Sequence, residues 1–271
     1  MIAYAHECVT TGCCTMVFYA VLLLLGISLA GGMESGIIGG KVSKPHSRPY
    51  MASIQLENKH HTCGGMLIRE DYVLTTAHCW NRSAGRGNFE VVLGAHNIHQ
   101  DEKSQQRIKV LKYIQHPKYQ SDNTEDISYD IMLLKLKNKA KVNRFVKVMP
   151  LPKKKETTPA NVKCSIAGWG LTTPKGVVGS NVMREVTLIL QENSKCKESW
   201  QQYFNSERMI CSVSDGKHAF CQGDSGSPLL CDSKLQGMAA YTDPESCTSK
   251  KYPGLYIKIS AFLPWIRKNI K

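Results

Sequence analysis

Basic residues are missing from the start of this 271-residue chain, acidic ones are scarce throughout, and no apolar run is long enough to cross a bilayer. The longest apolar stretch, Val17 to Ala30 (VFYAVLLLLGISLA), falls short of the ~20 residues a spanning helix needs and has no basic flank, so a retained membrane anchor is disfavoured. No internal repeat, low-complexity block or obvious flexible linker is present, which argues against solenoids and disordered tails. The spacing from Cys63 to Cys79 to Cys164 contains no CxxC, so a structural zinc site is not expected; nor does any pattern call for a cofactor. Nucleic-acid-binding motifs are also lacking, which removes the usual explanation for a basic chain.

What the N-terminal stretch does resemble is a secretory signal core. Small residues at Ser28 and Ala30 place the cleavage after Ala30, giving a signal peptide over 1–30, with Met16 an alternative start. Residues 31–36 (GGMESG) then form a short activation propeptide, and 37–271 is the working domain of 235 residues. That length suits either two small domains or one all-β unit of two packed barrels. Three cysteines lie upstream; the remaining eight form an even set that a secreted chain would pair, although the sequence leaves the pairing open. Past Gly36 there are 35 Lys and Arg against 20 Asp and Glu, because Glu7 and Glu34 are the only charged side chains upstream; the net charge is +15. Basic density peaks at Lys135–Lys141, Lys153–Lys155 and Arg267–Lys268, which points to an anionic proteoglycan as a partner, with plainly solvated faces as the ordinary reading.

Short alternating runs bounded by Gly, Pro, Asn and Asp read as strands: Tyr72–Thr75, Phe89–Leu93, Ile131–Leu136 and Leu255–Ile259. A single helix is expected, at the C-terminus, where Phe262, Trp265, Ile266 and Ile270 recur at helical spacing. Pro152 to Asn161 is the expected connection between two halves.

Acyl transfer by serine needs a nucleophilic hydroxyl, a base, an acid that orients the base, and N–H donors for the oxyanion. Ser225 sits between glycines in Gly223-Asp224-Ser225-Gly226-Ser227-Pro228, where a tight turn would expose its hydroxyl and the amides of Gly223 and Ser225. His78 follows a strand and abuts Cys79, whose bridge would fix its loop. Asp130 precedes the apolar run Ile131–Leu134, where a carboxylate is either a strand cap or a buried partner for an imidazole. Taken singly these are a polar turn, a surface histidine and a cap. Their order His, Asp, Ser is that of chymotrypsin.

From Ile37 onward the chain resembles the chymotrypsin-like serine proteases, and among them the granzyme and mast-cell protease group. The matching text is IIGGKVSKPHSRPYMASIQ, CGGMLI, VLTTAHCW, LGAHNI, YDIMLLKL, CSIAGWG, CQGDSGSPLLC and YPGLYIKIS. The resemblance implies two packed six-stranded antiparallel barrels with a C-terminal helix, and a secreted or granule-stored endopeptidase. It makes His78 the base, Asp130 its orienter and Ser225 the nucleophile, with the Gly223 and Ser225 amides as oxyanion hole. It implies disulfides Cys63 with Cys79, Cys164 with Cys231, Cys196 with Cys211, and Cys221 with Cys247. The freed terminus of Ile37 would turn inward onto Asp224. Because Gly36, not Lys or Arg, precedes Ile37, trimming of the six-residue propeptide by a dipeptidyl peptidase is expected.

The family pattern also places the primary pocket: Ala219 and Phe220 at its base and lower wall, Ala240, Tyr241 and Thr242 opposite, and Gly254 further on. Without an acid at its base, such a pocket would not select Lys or Arg. Phe220 and Thr242 would leave a shallow apolar recess for small or medium aliphatic residues, the alternative being a preference for large aromatics. Ala240 stands where most relatives carry a serine that supports the triad aspartate. Asn81-Arg82-Ser83 is a glycosylation sequon. A competing function is a non-catalytic cationic protein that binds glycans or membranes on the same fold.

Overall fold

A computed structural model describes residues 37–83, 88–120, 126–153 and 159–271, apart from the side chains of 81–83. The chain divides into two units, Met1–Glu34 and Ser35–Lys271. The expected signal peptide and propeptide lie outside the described residues, as does the side chain of Asn81.

Six strands form a closed antiparallel barrel in the order β2 (Met51–Leu56), β3 (His61–Arg69), β4 (Tyr72–Thr75), β7 (Met132–Leu136), β6 (Gln106–Gln115) and β5 (Phe89–Leu93). The remaining strands form a seven-stranded sheet: β1 (Lys41–Val42), β9 (Arg184–Ile189), β8 (Lys163–Gly168), β11 (Pro228–Cys231), β12 (Lys234–Tyr241), β13 (Leu255–Lys258) and β10 (Met209–Cys211). A bridge between Leu190 and Ser212, with Val213 N–H donating to Ile189 O at 2.7 Å, ties the β9 end to the β10 end. Six strands therefore come round into the second barrel. The two-residue β1 is a seventh, laid on β9 by the segment that follows Ile37.

The interior of the first barrel is filled by inward residues such as Ile54, Leu67, Val73, Phe89, Val91 and Leu134. Ile166, Val186, Leu188, Leu229 and Tyr256 fill the second. A third cluster joins the two: Met66, Leu74, Ile131 and Leu133 from the first barrel meet Leu230, Met238, Ile257, Phe262 and Ile266 from the second. Strands at this seam bury both faces, so β4 is buried at all four positions and loses the polar alternation of a half-exposed strand.

Three α-helices are described: α1 (His78–Ser83), α2 (Asn193–Trp200) and α3 (Leu263–Asn269). Only α3 was legible from periodicity; a 3-10 turn over Ile259–Phe262 leads into it, and Phe262 and Ile266 anchor it at the seam. The polar helix α2 buries just Cys196, so it has no apolar stripe to read, and the Cys196–Cys211 disulfide attaches it to β10. All four implied disulfides are present. The connection Pro152–Asn161 does lie between β7 and β8, the last strand of one barrel and the first of the next.

Candidate active site

Strand β4 ends at Thr75, and three residues later His78 opens α1. The Cys63–Cys79 disulfide clamps that start onto β3; closing a loop of this length contributes ~3 kcal/mol by the chain-entropy estimate. Asp130 follows a 3-10 turn over Ile127–Tyr129 that is capped by Asp126, whose Oδ1 accepts from Ser128 N–H at 3.1 Å. The turn delivers a wholly buried carboxylate to His78. Oδ1 accepts from the His78 backbone N–H at 2.8 Å and Oδ2 lies 2.6 Å from Nδ1. An ionised carboxylate only accepts, so the Nδ1 proton is held there and Nε2 presents a lone pair. Nε2 is buried and has no hydrogen-bond partner among the described residues.

The Ser225 turn needs two glycines. Gly223 and Gly226 have φ of +94° and +88°, and a Cβ on Gly226 would fall 2.2 Å from Gly64 O and 2.3 Å from Thr75 Oγ1. Both barrels hold the turn: Gly64 N–H of β3 donates to Ser225 O at 2.8 Å, and Gly226 N–H donates to Ala239 O of β12 at 2.8 Å. Gly64 adjoins Cys63 and Thr75 lies three residues before His78, so serine and histidine rest on one disulfide-bonded scaffold. Among the described residues the N–H groups of Gly223 and Ser225 donate to no protein acceptor.

Asp224 points the other way, into the second barrel, where it is wholly buried. Its oxygens accept from Gly170 N–H at 2.8 Å and Cys221 N–H at 2.9 Å, and no cation pairs with it among the described residues. Burial pushes its pKa up to about 7, against the two backbone donors. Gly168 and Gly170 permit the approach, since a Cβ on either would lie 2.1 Å or 2.5 Å from the carboxylate. Ile37 is wholly buried in the same barrel, and Ile38 bridges Ala219.

The expected pocket residues are mostly buried. The Phe220 ring sits 5.0 Å from that of Tyr256 and lies against Gly254, where a Cβ would come within 2.7 Å of it. Ala240 is buried in the seam between barrels, the Tyr241 ring lies 5.6 Å from that of His78 and is tilted 39° to it, and Thr242 Oγ1 contacts Cys247 Sγ at 3.6 Å. Asp130 takes no hydrogen bond from position 240, which is alanine.

One neighbour of the turn was not picked out from sequence. His61 Nε2 lies 2.9 Å from the Gly223 carbonyl oxygen and Nδ1 2.8 Å from Ser53 Oγ. Its only signal was its place two residues before Cys63, and a register shift between Ile54 and Gln55 turns it to the face of Ser53 and Gln55, away from that of Cys63. The cluster of Cys63, His78 and Cys79 has metal-like spacing, but both sulfurs are joined in a disulfide, so neither is a thiolate ligand.

A serine turn held between two antiparallel barrels, with an aspartate-bound histidine on the same scaffold, defines a chymotrypsin-like serine protease. The family model for Trypsin matches residues 37–266. Granzyme B of Rattus norvegicus is 44% identical over 256 residues, covering 93% of this chain and 98% of the relative. Cathepsin G of Homo sapiens is 41% identical over 256 residues, covering 93% and 94%. The solved structure of neuropsin, a serine protease expressed in the limbic system of mouse brain, superposes with a TM-score of 0.77 at 34% identity, covering 86% of this chain and 99% of that one. This chain belongs to the trypsin family and is a granzyme- and cathepsin G-like serine endopeptidase. No helix among the described residues is long and apolar enough to cross a membrane.

Proposed function

We propose that the chain hydrolyses peptide bonds through an acyl-enzyme on Ser225. His78 Nε2 takes the hydroxyl proton as Oγ attacks the carbonyl carbon and returns it to the leaving amine. Asp130 holds the imidazole tautomer and stabilises the imidazolium. The developing oxyanion is received by the N–H groups of Gly223 and Ser225. The observation that carries this reading is the Asp130-bound His78 with an unpartnered Nε2, on the scaffold that also carries the serine turn. A fluorophosphonate probe on the chain trimmed to Ile37 tests it: wild type should label and Ser225→Ala should not. An unlabelled wild type would favour the cationic binding protein instead.

Activation follows from Asp224, a buried carboxylate short of a cation. Trimming of 31–36 by a dipeptidyl peptidase would free the Ile37 α-ammonium as that cation, and the pair would order the oxyanion loop. N-terminal sequencing after such treatment should read Ile37.

For the residue on the acyl side of the cut, the packed Phe220 ring supports a shallow pocket that takes Ala, Val, Leu or Met. A preference for large aromatics would require Phe220 to leave Tyr256 and Gly254. Storage in secretory granules on an anionic proteoglycan is supported by charge and by one contact. Arg267 donates to the carbonyl of Lys153 at 2.7 Å, so these two basic residues, one from each of the dense stretches, adjoin. Heparin-column elution shifted to lower salt in Lys153→Ala/Arg267→Ala/Lys268→Ala would support that site.

A further inference from the structure

A line of polar groups runs through the first barrel to the serine turn. Arg107 on β6 lies 3.3 Å from Glu90 Oε2, and the same nitrogen donates to Gln55 Oε1 at 2.9 Å. Gln55 on β2 is wholly buried; its Nε2–H donates to Ser53 Oγ, equally buried, at 3.1 Å. Ser53 meets His61 Nδ1, and His61 Nε2 meets the Gly223 carbonyl. Sheet register builds the line: Ser53 and Gln55 share one face of β2, and Gln55 pairs with His61 across β3.

The two ends dictate its direction. A guanidinium only donates, so Gln55 must turn its oxygen to Arg107 and its amide hydrogens to Ser53. Ser53 Oγ accepts from Gln55, which leaves its one hydrogen for His61 Nδ1. A carbonyl only accepts, so His61 must carry its proton on Nε2. Every bond therefore donates toward Gly223. Burial holds His61 down to about 4, with smaller contributions from His60 and His99, so the ring is neutral in the working range.

We propose that Arg107 and Gln55 are positioning residues of the active site: they select the Nε2–H tautomer of His61, which holds the Gly223 carbonyl and keeps the Gly223 and Ser225 amides aimed at the oxyanion. Gly223 needs such a holder because it has no side chain and sits at positive φ. The proposal rests on the oxyanion role assigned above.

The decisive variant is Gln55→Glu in the chain trimmed to Ile37. A carboxylate accepts at both ends, so Ser53 turns its hydroxyl to residue 55 and offers only lone pairs to His61. Nδ1 then takes the proton, and the ring can hold Gly223 only as an imidazolium. The charges around it are Arg107 and Glu90 at the far end, His60 and His99 beside it, and Asp224 next to Gly223. At pH 8 kcat should fall by about tenfold, less than the roughly hundredfold or more lost when an oxyanion donor is removed outright because the amides are misaimed and not deleted, with KM nearly unchanged. Relative to wild type, activity should recover as the pH is lowered, an alkaline limb additional to the one that deprotonation of the Ile37 α-ammonium sets in both chains. Arg107→Met, which frees the amide to flip, should lower kcat by only about threefold without that limb.

Nitrogen-15 NMR of His61, assigned with His61→Gln, reads the tautomer without turnover: Nδ1 unprotonated in wild type and protonated in Gln55→Glu. A wild-type ring protonated on Nδ1 at pH 8, or an unchanged pH profile in Gln55→Glu, would overturn the proposal. Failure of fluorophosphonate labelling in wild type would instead overturn the protease reading and leave the NMR result to decide the relay. If Gln55→Glu does not fold, the wild-type tautomer and the Arg107→Met rate decide it.

Discussion

Asp224 should make the untrimmed chain lose stability as pH rises. Its carboxyl is pushed up to about 7 from 3.8, because burial disfavours the anion and only two backbone N–H groups oppose that. The folded state thus binds the proton more tightly than the unfolded state. The stabilisation is complete below the ordinary carboxylate pKa and is lost as pH climbs through about 7. About three pH units at ~1.4 kcal/mol each make ~4 kcal/mol. His61 works in the opposite sense: its pKa, lowered by burial to about 4, makes stability rise between about 4 and the ordinary histidine value. Asp71, held down to about 2 chiefly by the Arg69 guanidinium, changes only in stronger acid. Subtracting the unfolding free energy of Asp224→Asn removes both. In a Ser225→Ala background, urea unfolding from pH 4 to 8 should therefore show the difference between the two chains moving by ~4 kcal/mol against the wild type. Trimming to Ile37 should flatten the curve, because the α-ammonium then pairs with the anion. A flat or oppositely sloped difference in the untrimmed chain would refute the account of Asp224.

Gly226→Ala should abolish activity and lower stability by at least ~2 kcal/mol, since its Cβ meets Gly64 O and its φ of +88° is strained for alanine; activity and thermal melting check this. Removing the Cys63–Cys79 bridge in the double alanine variant should cost about 3 kcal/mol and lower kcat more than it raises KM, because His78 and Gly64 flank the two sulfurs. Thr242→Gly should open the pocket and raise relative cleavage after Leu, Met and Phe by about tenfold over Ala in a peptide library, the scale set by one or two buried methylenes.

Much of the site was readable before any fold was known. Gly223 through Pro228 contained the turn because only glycine accepts the backbone angles beside Ser225, and Cys79 marked the His78 loop. Strand positions were readable where alternation or a short apolar run survives, as at Phe89–Leu93. Helix α2 was not, because one buried cysteine leaves no periodicity. His61 escaped for a related reason: its partners Ser53 and Gly223 lie 8 and 162 positions away, and nothing local distinguishes a relay histidine from a surface one. The extra strand β1 and the single-bridge closure of the second barrel also rest on long-range pairing.

By itself the sequence determined the chemistry available: which groups can attack, accept a proton or accept positive φ, and in what order they occur. Those are properties of residue type and local backbone. Only the tertiary structure decided which carboxylate meets which donor. Asp130 and Asp224 are both acids beside apolar or glycine-rich text. One was turned onto an imidazole and the other into the second barrel, where no cation pairs with it among the described residues, because packing across the seam sets desolvation and partners over distances that no local pattern encodes.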